Sequence, residues 1–183
     1  MKHINKYKKK GQIWIETAIY TLIGLTIIAI VLSVANPQIE KIKDKSIVEQ
    51  TITALNVLDS KVLDISQSSP GNIRLVDFKI SKGKLEIDPQ TEIMTYTLEN
   101  TRLELSQINK EIKEGDVLIK TENQGNKYKI TLKLDYSSKL DLTNIKGNKI
   151  LTMTASPSPY KIQIENVGDN GVNQNTHIDF ALI

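Results

Sequence analysis

Apolar positions follow three successive patterns along the chain. From Thr17 to Ala35 no residue is charged, and Ile19, Leu22, Ile23, Leu25, Ile27 and Ile30, with their apolar neighbours, leave no polar stripe wide enough for a soluble helix. The run matches the ~20 residues a helix needs to cross a bilayer core, where backbone groups must be satisfied internally. It predicts a membrane-spanning helix over 12–36. Beyond it Ile39, Ile42, Ile47, Val48, Ile52, Leu55, Leu58, Val62 and Ile65 recur mostly at steps of three to five, with Lys, Asp, Glu and Gln between them. That spacing predicts an amphipathic helix over 37–66. If Pro37 only kinks the chain, the two stretches form one helix on the order of 80 Å long at ~1.5 Å per residue. If Asn36-Pro37 breaks it, they are two helices.

Ser68, Ser69, Pro70, Gly71 and Asn72 end the helical pattern, and the period then changes to two. Val76, Phe78 and Ile80 alternate with polar neighbours, as do Leu85 and Ile87, then Met94, Tyr96 and Leu98, and Leu103 and Leu105. Tyr128, Ile130, Leu132, Leu134 and Tyr136 form the clearest strand, followed by Tyr160, Ile162 and Ile164, and by Ile178, Phe180 and Leu182. Turn chemistry separates them at Ser81 to Gly83, Asp88-Pro89, Gln124-Gly125-Asn126, Lys146-Gly147-Asn148 and Gly168 to Gly171. Asp169 to Thr176 reads as a surface loop, and Pro157 and Pro159 should stop pairing before Tyr160. Eight to ten short strands with one wet face are expected, covered by the helix's apolar stripe. The fold class is α+β: a long N-terminal helix packed on an antiparallel sheet or sandwich domain over 72–183, a lollipop.

Charge adds a direction to this picture. The chain has 24 Lys and Arg against 21 Asp and Glu, but Lys2, Lys6, Lys8, Lys9 and Lys10 all precede Gly11, so the rest is slightly acidic. A basic cluster directly before the apolar run and a mixed flank after it keep the N-terminus cytoplasmic and the rest outside the cytoplasm. Aromatics are only 5% of the chain, and Lys alternates with Asp and Glu in the later strands, so no nucleic-acid face is predicted. Cysteine is absent, which removes disulfides, thiolate metal sites and cysteine nucleophiles.

Three readings of the N-terminus follow: a permanent anchor, a secretory signal peptide cut after Ser33-Val34-Ala35, and a basic leader removed on the cytoplasmic side. The apolar run is longer than a usual signal-peptide core of ~7–15 residues, and Glu16 lies inside it, which disfavours secretion. The string Lys9, Lys10, Gly11, Gln12, Ile13, Trp14, Ile15, Glu16 resembles that of archaeal type IV pilin-like proteins. The resemblance implies recognition of the leader 1–11 through Lys8, Lys9 and Lys10 and cleavage between Gly11 and Gln12 by a prepilin peptidase. It also implies self-association of the mature helices, through Ile19, Leu22, Ile23, Leu25, Ile27 and Ile30, into a filament core built by an assembly ATPase and a membrane platform protein. Glu16 matches the family's acidic position, implied to set axial register. Trp14 and Tyr20 are also consistent with interfacial belt residues, and Glu16 with an acid that snorkels to water.

Other chemistry is scarce. His3 lies in the leader and His177 stands alone beside Asp179, and neither suits a multi-ligand metal site. Asp135 and Asp141 could hold a hard cation, but their spacing is not diagnostic. No nucleophile elbow, phosphate loop or zinc helix occurs, so neither an enzyme nor a cofactor is expected. The expected function is a pilin or minor pilin of a surface filament. The precursor would sit in the cytoplasmic membrane and the mature chain on the cell surface. The alternative is an uncleaved, single-pass anchored β-domain that binds a ligand or partner outside the membrane.

Overall fold

A computed structural model describes the backbone at residues 6–144, 147, 149–169 and 175–183, with side chains from Ile13 onward. Helix α1 spans Lys6–Ser66, with Pro37 inside it, so the Asn36-Pro37 step does not end the helix. Ten strands follow among the described residues: β1 Ile73–Phe78, β2 Lys84–Asp88, β3 Ile93–Thr101, β4 Glu111–Glu114, β5 Val117–Gln124, β6 Lys127–Asp135, β7 Leu140–Asn144, β8 Leu151–Thr154, β9 Tyr160–Asp169 and β10 Thr176–Leu182. The class is α+β. Two compact units divide the chain, Met1–Glu40 and Lys41–Ile183, so the second part of α1 belongs with the strands.

Within the second unit, one sheet has the order β1-β9-β10-β7 and the other β4-β5-β6-β3-β2-β8. Val48, Ile52, Leu55, Leu58, Val62 and Ile65 of α1 are buried with Phe78, Tyr96, Leu132, Ile164 and Phe180 in one apolar core. Three members of the expected stripe fall outside it: Ile39 and Ile42 are 47% and 68% exposed, and Ile47 is only half-buried. The sheets are antiparallel except where β10 pairs in parallel with β7, a long-range pairing that alternation within a strand does not encode.

Leu103 and Leu105 do not form the expected strand. Asn100 adopts φ 56, the β3–β6 register shifts between Leu98 and Thr101, and the Leu103 N–H donates to Thr101 Oγ1 at 3.0 Å. These features turn the chain out of the ladder while Leu103 stays buried. Strands β4, β5, β7 and β8 lie outside the expected runs, and the buried face of β5 is Val117, Ile119 and Thr121. Pairing does stop ahead of Tyr160, because β8 ends at Thr154 and β9 begins at Tyr160. The Lys146-Gly147-Asn148 turn and the 169–176 loop lie largely outside the described residues.

Polar side chains join α1 to the strands. Lys82 Nζ donates to Asp44 Oδ1 at 2.7 Å, and Thr101 Oγ1 donates to Asp44 Oδ2 at 2.6 Å. Tyr136 O–H donates to Asp59 Oδ1 at 2.7 Å, and both residues are buried. Gly83 (φ +83) is required at the start of β2, since a Cβ there would come within 2.5 Å of Thr97 O and 2.8 Å of Tyr96 Oη. Burial also pushes the Tyr96 hydroxyl up to about 12.

Asp59 gives the fold a measurable pH dependence. Burial raises its pKa, the Tyr136 hydrogen bond lowers it less, and the charge of Asp116 raises it further. A carboxyl whose pKa is raised on folding favours the native state at low pH, and that contribution is lost as pH rises through the folded-state value. Asp59→Asn, which keeps an acceptor for Tyr136 without the charge, should therefore gain stability relative to the parent as pH rises from the ordinary carboxyl range to neutrality. Urea unfolding of both chains at several pH values measures that difference; a difference constant with pH would count against a desolvated Asp59.

Candidate functional site: the apolar helix

The apolar part of α1 is a candidate membrane span by length and composition. An 18-residue window within Ile13–Ser66 reaches a mean hydropathy of 2.4, and none of that window is buried. Ile19, Leu22, Ile23, Leu25, Ile27 and Ile30 are between 49% and 66% exposed. At 100° per residue these positions cover a little over half the circumference, and Ile28, Val31 and Leu32, 56%, 58% and 51% exposed, fill the opposite side, so the surface left open is apolar all round. Such a surface is stable in lipid or against other apolar helices, and not in water.

Polar side chains in this stretch are satisfied within the helix itself. The hydroxyls of Thr17, Thr21 and Thr26 donate to the carbonyls of Ile13, Thr17 and Leu22 at 2.9, 2.8 and 2.8 Å, and Ser33 donates to Ile30 O at 2.7 Å. Back-bonding of this kind leaves no hydroxyl searching for water in an apolar medium. Thr17, Ala18 and Thr21 are small and lie between Trp14 and Leu25, forming a shallow notch on one side of the helix. Small residues let helices approach closely in membranes. The sequence signal for that notch was the spacing of Thr17, Ala18 and Thr21 inside a run of larger residues.

Glu16 is exposed on this helix, about one turn before Tyr20 and within the apolar stretch. Pro37 is half-buried inside α1. Lys8, Lys9, Lys10, Gly11 and Gln12 have helical backbone, but their side chains lie outside the described residues.

Comparisons with protein-family models, curated proteins and solved structures return no match for this chain. Any functional reading rests on its own residues.

The remaining sequence candidates are dispersed. His177 does not stand alone: its Nε2 lies 3.1 Å from Asp141 Oδ2, across the parallel β7–β10 pair, and the two side chains are 19% and 18% exposed. Asp141 Oδ1 also accepts from Asn175 Nδ2 at 3.2 Å. Asp135 instead accepts from the backbone N–H and hydroxyl of Ser137, at 3.0 and 2.7 Å, which holds its carboxyl below the ordinary range. Among the described residues no group of three or more His, Asp or Glu side chains could hold a metal ion. Glu92, between β2 and β3, adopts φ 58 and accepts the backbone N–H of Leu142 in β7, which ties the two sheets together. Desolvation raises its pKa, more than the Leu142 hydrogen bond lowers it.

Proposed function

We propose that this protein is a pilin or minor pilin of an archaeal type IV pilus-like surface filament, cut between Gly11 and Gln12 and polymerised through its apolar helix. The observation that carries the reading is an all-round apolar helix with no side covered by its own chain, behind a Lys-Lys-Gly-Gln junction. A helix that served only as a lipid anchor needs no acid in its apolar run, where a charge costs ~2.5–3.5 kcal/mol on insertion scales. In a filament Glu16 gains a use. Cleavage would create an α-amino group on Gln12, and pairing it with Glu16 of a neighbouring subunit would neutralise both charges and set the axial register.

The prepilin peptidase, the assembly ATPase and the platform protein are the partners this reading requires. The β-rich unit would then coat the filament outside the cell. The deciding experiment is the intact and N-terminal peptide mass of the protein from membranes of its native host, or of a cell supplying the cognate peptidase. The expected chain starts at Gln12, and electron microscopy of the same preparation shows filaments. A chain starting at Asn36 would mean secretion. A full-length chain, where other prepilins are processed, would replace the proposal with an anchored binding domain.

A further inference from the structure

The outer face of the six-stranded sheet carries a polar depression of about 330 Å³. Strand register lays out its floor. Lys84, Thr97, Thr131 and Lys120 are consecutive partners across β2, β3, β6 and β5, so the two lysines flank a pair of threonines about 14 Å apart at ~4.8 Å per strand. Lys133 and Lys129 lie two residues either side of Thr131 on β6, on the same face.

Most charges in this depression already have partners. Lys84 Nζ lies 3.1 Å from Glu86, and Glu122 is shared by Lys120 at 3.3 Å and Lys129 at 3.8 Å. These side chains are about one third exposed, which makes them a half-buried, ordered rim. Among the described residues Lys133 is in no ion pair closer than 4 Å, and the Thr131 hydroxyl, in a residue 7% exposed, has no hydrogen-bond partner. A buried hydroxyl without a partner costs ~1–3 kcal/mol, and such a group in a native fold calls for an explanation.

The chemistry of the unmet groups selects the ligand. Thr131 can donate and accept, Lys133 supplies a positive charge, and Glu99 at the far end of the depression can accept from hydroxyls. The lining has little apolar surface and no aromatic side chain, unlike a pocket for an apolar molecule. Interleaved Glu side chains oppose a uniform polyanion. We propose that this face binds an acidic saccharide of two or more sugar units, with a uronate carboxylate on Lys133 and Thr131 and sugar hydroxyls on the Thr97 and Glu99 side. The site is independent of the filament reading and would serve a filament subunit or an anchored domain equally.

The test uses the full chain in detergent micelles, with aldotriouronic acid, one uronate joined to two neutral xylose units, as the probe and calorimetric titration as the readout. Saturable binding is expected, weakened about tenfold by Lys133→Gln and about fivefold or more by Thr131→Val, with neutral maltotriose at least about tenfold weaker. Thr131→Val has a second readout. Replacing an unsatisfied buried hydroxyl with an isosteric methyl should leave the melting temperature unchanged or higher, so binding falls while stability does not. No saturable binding of aldotriouronic acid, unchanged affinity in both variants, or displacement by acetate at equal carboxylate concentration would each overturn the proposal. So would a lower melting temperature for Thr131→Val, because the hydroxyl would then have had a partner within the fold. Equal affinity for maltotriose would overturn the carboxylate assignment.

Discussion

Asn166→Ala is expected to lower the stability of the Lys41–Ile183 unit by about 2–4 kcal/mol. Asn166 is 1% exposed and closes the C-terminal end of α1 from a strand about a hundred residues later. Its Nδ2 donates to Ile65 O and Ser68 O, both at 2.9 Å, and its Oδ1 accepts the Gly168 N–H at 2.8 Å. The last carbonyls of a helix have no partner in the helix itself and must find one elsewhere. Its own backbone joins the same connection, since Asn166 N donates to Asn72 O at 3.0 Å and Gly71 N donates to Asn166 O at 2.7 Å. Alanine keeps those backbone bonds and leaves Ser68 O and the Gly168 N–H without these partners at ~1–3 kcal/mol each, partly relieved by water, while Ile65 O still accepts the Ser68 N–H at 3.0 Å. Urea unfolding of the full chain in detergent measures the loss. Asn166→Asp provides the control: it keeps the acceptor for Gly168, removes both donors and sets a negative charge against the negative end of the helix, so it should be no more stable than the alanine variant. A loss under about 1 kcal/mol for Asn166→Ala would mean that the cap is not made.

This cap also marks where sequence reasoning reaches its limit. The stripe from Val48 to Ile65 was readable because its burial follows the helix period, and β3, β6, β9 and β10 because apolar residues alternate at every second position. Strands β4 and β8 have only four residues each, and β4 is exposed throughout, so neither presents a periodic signal. In β5 the buried series ends in Thr121, whose hydroxyl bonds Ser106, and a polar residue in a buried row breaks the pattern that betrays a strand. Asp44 and Asp59 are buried on the helix although the amphipathic pattern assigns acids to water; each is compensated by a partner from the sheet, Lys82 and Thr101 for one and Tyr136 for the other. Such partners, like Asn166 on Ile65 or the Thr97–Thr131 row, are fixed by strand register, which no local spacing records. The apolar helix was legible in full because the property that matters there, uninterrupted apolarity, is a local one.

Glu16→Ala should permit leader removal yet reduce filament yield about tenfold or more, the equivalent of about 1.4 kcal/mol at each subunit interface. Gly11→Leu should act one step earlier and leave residues 1–11 on the chain, because a peptidase that cuts after a small residue has no room for a branched side chain. The two variants separate the roles that a single loss of filaments would confuse. In Gly11→Leu the amine proposed to pair with Glu16 is never created, so assembly fails with the precursor intact. In Glu16→Ala the amine exists and its partner is gone, so the mature chain accumulates in the membrane. Replacing an acid with alanine also makes the apolar run easier to insert, by ~2.5–3.5 kcal/mol on insertion scales, so a defect in assembly could not be ascribed to poor insertion. Glu16→Gln sharpens the contrast: it keeps the shape and hydrogen-bonding capacity but not the charge, and should assemble as poorly as alanine if charge neutralisation sets the register. An acid that merely snorkels to the headgroups predicts wild-type filaments from both variants. Immunoblots for processing, with filament counts by electron microscopy on the same cells, read the two steps separately, and normal filaments from Glu16→Ala would remove the pairing from the mechanism while leaving cleavage at Gly11 to stand or fall on its own mass.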